Sequence, residues 1–183
     1  MERIIKLLRE VLHIKYSEIP QLTSVGSYQI NICLSEVVDT INNWKGKHGL
    51  ELNPDFQRGH VWNEEQQIGF IEFLLRGGKS AKFIYFNHPG WMDDWKGNMV
   101  CVDGLQRLTA CMRFINNEIP AFGHYYKEFE GWMPLDIDLL FNVNNLKTKA
   151  EVLVWYIEFN TGGTVHTAEE INRVKELLKM EQR

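Results

Sequence analysis

The chain has 183 residues, 44% hydrophobic, 24% charged and 12% aromatic, a composition that suits one soluble domain with a sizeable core. Its longest uncharged apolar runs, such as Val152–Ile157, fall far short of the ~18 residues of a membrane span, and 14 Gly with 5 Pro are too few for a low-complexity chain. A formal charge of −4 argues against a constitutively basic grip on nucleic acid, though not against a local basic patch.

The elements follow from periodicity. Ile4, Ile5, Leu7, Leu8, Val11, Leu12 and Ile14 have helical spacing, so residues 1–20 read as an N-terminal helical extension. This N-terminus mixes acids and bases through its apolar positions, unlike a signal or transit peptide. Ser27–Leu34 alternates as a half-buried strand. Ser35 is then expected to cap a helix with the stripe Val37, Val38, Ile41 and Trp44, ended by Lys45-Gly-Lys-His-Gly. The polar stretch Asn53–Trp62 reads as a loop. Asn63 caps a further helix whose stripe is Ile68, Ile71, Phe73, Leu74 and Leu75, stopped by Gly77-Gly78.

Strands are expected at Ala81–Phe86 and Met99–Val102, joined by a polar, tryptophan-bearing turn over Asn87–Asn98. A helix follows over residues 104–117. Pro120–Asn145 shows no clear period and reads as a loop-rich excursion with short elements. Thr148 opens a helix through Phe159, although Val152–Ile157 alone equally suits a strand. Asn160–His166 reads as a tight glycine loop, and Thr167 with Glu170 forms a capping box for the last helix. The order is mixed α and β without regular βαβ alternation. Cys33, Cys101 and Cys111 sit among apolar neighbours with no CxxC spacing. They read as buried reduced thiols, in keeping with a cytoplasmic protein, and not as a disulfide framework or zinc ribbon.

Three segments carry candidate chemistry. In Val102-Asp103-Gly104-Leu105-Gln106-Arg107-Leu-Thr109 a strand ends on an acid, turns at a glycine and enters a helix. A helix N-terminus presents unpaired N–H groups to an anion, Gly104 permits close approach, and Arg107 adds a charge-assisted fork. Asp103 is an acceptor for Mg²⁺, for a ribose hydroxyl, or for the proton of an attacking oxygen. The plainer alternative is that Asp103 merely caps the helix.

Phe56-Gln57-Arg58-Gly59-His60-Val61-Trp62 combines amide, guanidinium, imidazole and indole, which suits a planar charged ligand such as a nucleotide. Trp62 equally suits an anchor for the following helix. Asn160-Thr161-Gly162-Gly163-Thr164 could cradle an anion, or be a simple connection; it lacks the Walker pattern. The six histidines have no metal-ligand spacing, so a zinc or HNH-type nuclease centre is not supported.

Together these segments resemble the motifs "IPxYQRxYVW", "DGQQRLT" and "LNTGGxxLSxxEI", in order, of the DGQQR-motif family. That family supplies the N-terminal domain of GmrSD-type modification-dependent restriction enzymes and is similar to the ParB/sulfiredoxin fold. The resemblance spans about residues 20–175. It implies an α+β fold, a single ParB/sulfiredoxin-like domain over 1–183 with a small mixed sheet flanked by helices; larger relatives couple it to a C-terminal HNH-type nuclease, for which 183 residues are expected to leave no room after the glycine loop. Leu105 stands where the family has the first Gln of its signature, and His60 where it usually has another aromatic or polar residue.

The resemblance further implies a nucleoside-triphosphate-binding and hydrolysing, or phosphotransferring, domain. Gln57, Asp103, Gln106 and Arg107 then fall in the catalytic group. Arg58, His60, Trp62, Gly104, Arg107, Asn160, Thr161, Gly162 and Gly163 fall in the nucleotide and phosphate group. Mg²⁺ is the expected cofactor, bridging phosphates with help from Asp103, and Gln57 or Gln106 orients the nucleophile. Expected partners are the triphosphate, DNA bound weakly, and a separately encoded protein, with no membrane. Two alternatives stay open: a non-catalytic nucleotide-sensing or DNA-associated module, phage-encoded or not, and a kinase or modifier of DNA bases or a small molecule.

Overall fold

The structure is a computed structural model that describes residues 28–57, 61–161 and 168–181. The expected N-terminal helix and the capping residue Thr167 lie outside these. Four strands form one mixed sheet: β1 (Tyr28–Cys33), β2 (Phe83–Asn87), β3 (Val100–Asp103) and β4 (Asp138–Asn144), in the spatial order β1-β4-β2-β3. β1 pairs antiparallel with β4, β4 parallel with β2, and β2 antiparallel with β3. The helices are α1 (Val37–His48), α2 (Glu64–Leu75), α3 (Leu105–Ile115), α4 (Lys149–Thr161) and α5 (Ala168–Glu181). The arrangement is α+β, as expected.

Three local expectations are corrected. β4 runs through the stretch read as loop-rich and lies inside the sheet. Its sequence, DLLFNVN, is buried along nearly its whole length on both faces, so it lacks the polar alternation that marks a half-buried strand. Ser35 does not cap α1. Leu34 is fully buried, its amide donates to Ile137 O, and the chain makes a 3₁₀ turn over Leu34–Glu36 before α1 begins. On α2 the buried face is Gln67, Phe70, Ile71 and Leu74, at helical i, i+3, i+4, i+7 spacing, which leaves Phe73 on the flank, 38% exposed.

Other signals hold. Asn63 and Gln66 form a reciprocal capping box at the start of α2. Gly49 ends α1 in the left-handed region, its amide donating to Trp44 O. Thr148 Oγ1 accepts from Glu151 N at 3.2 Å while Glu151 Oε2 accepts from Thr148 N at 2.9 Å, so α4 also begins at a capping box. These amide hydrogen bonds hold the Glu151 carboxyl below its ordinary value.

The sheet separates two cores. Ile84, Phe86, Cys101, Leu139 and Phe141 pack against α1, α2 and α3. On the other face Val102 packs with Phe56 and with Leu153, Trp155, Tyr156 and Val174 of α4 and α5. Among the described residues no helix is long and apolar enough to cross a membrane.

Candidate functional site

β3 ends at Asp103 and the chain turns through Gly104 into α3. Gly104 has φ +99°, a conformation that L side chains rarely adopt. A Cβ there would stand 2.6 Å from Ile84 Cδ1 and 3.2 Å from Ile84 Cα, so the turn presses its backbone onto β2. Gly104, not Asp103, occupies the N-cap position, with no side-chain cap. Asp103 instead pairs with Arg107 one turn along, Oδ2 to Nη2 at 2.5 Å, with both side chains largely shielded. Leu105 turns into the interior and is buried.

The loop before α2 is tied to this turn at two points. Gln57 Nε2 donates to Cys101 O on β3 at 2.5 Å. Gln106 Oε1 accepts from Val61 N at 2.8 Å and from Trp62 N at 3.0 Å. Arg58, Gly59 and His60 lie outside the described residues, but their chain neighbours on both sides are fastened to β3 and to the first turn of α3. The Trp62 ring packs edge-on against Phe70 with centroids 5.5 Å apart, the geometry of an anchor for α2. Further back, Asp55 receives Lys149 Nζ at 2.9 Å and, through its carbonyl, Arg173 Nη2 at 2.7 Å, which binds the loop to α4 and α5 as well.

The third segment approaches from the other side. α4 places Val152 beside Val100 at the start of β3 and Trp155 edge-on to Tyr85, centroids 6.0 Å apart, level with its end. The helix therefore runs towards the Asp103 turn. It continues through Thr161, so Asn160 and Thr161 end a helix and do not open a loop; Gly162 and Gly163 lie outside the described residues. The helical alternative for Val152–Ile157 is the one adopted.

Tyr85 is a residue that sequence reasoning missed. It is the register partner of Asp103 across β2 and β3. Burial, and secondarily the Asp103 charge, push its phenol above the ordinary value. The only sequence signal was its place on the strand next to the one that ends in Asp103.

The acidic and imidazole groups do not assemble into a resident metal centre: among the described residues no three of His, Cys, Asp and Glu could hold an ion together. A cavity of about 370 Å³ opens at the opposite end of β3, walled by Phe56, Val100, Val152 and Lys149, and none of the expected site residues lines it.

A family model described as the GmrSD restriction endonuclease N-terminal domain matches residues 36–160. That span includes the loop, the Asp103 turn and nearly all of α4. No curated protein matches the chain, and no solved structure does.

Proposed function

The chain belongs to the family of GmrSD restriction endonuclease N-terminal domains, and from that premise we propose that it binds a nucleoside triphosphate at the Asp103–Arg107 turn and hydrolyses it. The observation that carries this reading is the double tether, Gln57 to Cys101 O and Gln106 to the amides of Val61 and Trp62, which ties the residues on either side of the 58–60 segment to β3 and to the first turn of α3. Arg107 at a helix N-terminus, with Arg58 carried by the loop between those ties, suits a polyanion.

In this reading the first-turn N–H groups of α3 and the guanidinium groups of Arg58 and Arg107 hold the phosphate oxygens. Gly104 lets the turn press onto Ile84 and so fixes where the first turn of α3 begins. A water attacks the terminal phosphorus, the bond to the bridging oxygen breaks, the diphosphate leaves, and Asp103 accepts the proton of the attacking water. Arg107 holds that carboxylate in place until substrate arrives. Gln57 and Gln106 act as positioning residues, since the amide oxygen of Gln106 is already committed to two backbone donors. Trp62 anchors the loop beside this turn, and in this reading His60, Asn160, Thr161, Gly162 and Gly163 are nucleotide contacts on the strength of their places in the family's motifs alone.

Asp103 is a single carboxylate, which suits Mg²⁺ arriving on the triphosphate and not a resident ion. When bound, Mg²⁺ supplies charge neutralisation across the phosphate oxygens. The family is that of a restriction endonuclease's N-terminal domain; in this reading the chain works in the cytoplasm, in restriction or phage defence, with DNA or a separately encoded protein.

The test is phosphate release from each of ATP, GTP, CTP and UTP with Mg²⁺, with and without DNA, for the native chain and for Asp103→Asn. Release that falls at least about 100-fold in the variant supports hydrolysis. Binding with no release by the native chain favours a nucleotide sensor. A labelled second product favours phosphotransfer, and neither binding nor release overturns the proposal.

A further inference from the structure

The strand register carries a further feature from Asp103 across the sheet. Asp103 pairs with Tyr85, Tyr85 with Asn142, and Asn142 with Gln29. The neighbouring row runs from Phe83 through Leu140 to Asn31. Paired residues on adjacent strands share a face, about 5 Å apart. This is the face turned away from the main core, because Ile84, Phe86, Leu139 and Phe141 point the other way.

α4 covers only part of it, reaching Tyr85 through Trp155. Beyond that contact the strip stays open. Phe83 is 39% exposed, Gln29 and Asn31 are exposed, and Leu140 and Asn142 are half-buried. The Phe83 ring lies nearly parallel to Tyr85, centroids 6.1 Å apart at 19°. Phe83 lies two residues along β2 from Tyr85, the partner of Asp103, and next to Ile84, against which Gly104 packs.

Resting on the nucleotide reading above, we propose that this strip is the nucleobase subsite: the base stacks on Phe83, with Tyr85 supporting that ring from behind and the amides of Asn142 and Gln29 facing the base edge. The Phe83 ring, with Tyr85 stacked behind it, gives a flat apolar face that any base can cover. Its spacing from Asp103, one strand across and two residues along, is that of a sugar between base and phosphates. Among the described residues the strip carries no Lys or Arg. Lys82, the nearest lysine in sequence, is buried and paired to Asp138 at 2.8 Å. A polynucleotide needs cations along its backbone, whereas the base of a single nucleotide needs none. The ligand is therefore a mononucleotide whose charge is met at Gly104 and Arg107.

Binding of ATP, GTP, CTP, UTP and inorganic tripolyphosphate, each with Mg²⁺, is measured by calorimetry on the full chain and on Phe83→Ala and Phe83→Trp. At least one nucleotide is expected to bind 5- to 100-fold more tightly than tripolyphosphate, with Phe83→Ala erasing that margin and leaving tripolyphosphate unchanged; stacking is worth about this factor. Phe83→Trp restores the margin.

Native protein that binds tripolyphosphate as tightly as every nucleotide overturns the base subsite and leaves the phosphate site standing. Equal weakening of both ligands by Phe83→Ala also overturns it. Binding of neither overturns the nucleotide reading itself. A dodecameric single strand bound more tightly than any mononucleotide overturns the assignment to a mononucleotide. Phe83 is exposed, so the variants are expected to fold, which matching thermal unfolding verifies.

Discussion

Gln106 holds Trp62: its side-chain oxygen accepts the Trp62 amide at 3.0 Å and the adjacent Val61 amide at 2.8 Å, so the second residue of α3 clamps the entrance to α2. With Gln57 tied to Cys101 O, two segments some 45 residues apart become one structural unit. A glutamine beside a phosphate site is easily assigned to positioning water, and here its oxygen is occupied by backbone.

The clamp predicts a separation of roles. Gln106→Ala is expected to cost about 1 kcal/mol of stability and to raise hydrogen exchange at Val61 and Trp62, with the rest of α2 unaffected. Gln106→Glu keeps an acceptor at the same reach and should retain most of the protection. Exchange measured by mass spectrometry on both variants decides this. Unchanged protection in Gln106→Ala would remove the clamp.

Gly104→Ala is expected to destabilise by about 2–3 kcal/mol, combining backbone strain at positive φ with the close approach to Ile84. Urea unfolding should show a lower midpoint with unchanged slope. The double variant Gly104→Ala, Ile84→Val tests the contact: it should recover part of the loss if crowding contributes.

His88 makes stability pH-dependent. The side chain is fully buried, its Nδ1 accepts from Gly90 N at 3.1 Å, and its Nε2 has no partner among the described residues. Burial, with His48 adding like charge, lowers its basicity in the fold. The unfolded chain therefore takes up the proton first, and stability rises with pH where the unfolded histidine titrates. Stability should be full above pH ~7 and decline as pH falls through about 6.5. His48, lowered mainly by its own burial, acts in the same direction. Unfolding midpoints between pH 5 and 8 measure it, and His88→Asn, which keeps an acceptor for Gly90 N, should flatten the curve.

The thiols should react unequally. Burial pushes Cys101 up to about 12 and Cys111 higher still, whereas Cys33 is only half-buried. A colorimetric thiol reagent should modify Cys33 first in native protein and all three only in denaturant. Rapid modification of three native thiols would contradict the packing.

Much of the chain could be read without coordinates, for local reasons. The capping residues Asn63 and Thr148 announce their helices because a cap needs only a few consecutive residues. The strand–Asp103–Gly104–helix unit was visible because a glycine between an apolar strand and a helical period permits few conformations. β4 was missed because a strand inside the sheet, buried on both faces, loses the alternation that identifies strands, and its pairing with β1 and β2 depends on partners far away in sequence.

The sequence by itself determined which residues are candidates for chemistry, which family the chain belongs to, and where most helices begin, since each depends on side-chain type and short-range hydrogen bonding. Only the tertiary structure decided what those side chains do. It committed Gln57 and Gln106 to backbone partners, joined Asp103 to Arg107, turned Leu105 inward, and set Tyr85 and Phe83 beside the turn. These outcomes follow from strand register and from the approach of Gly104 to Ile84, long-range contacts that no local pattern encodes.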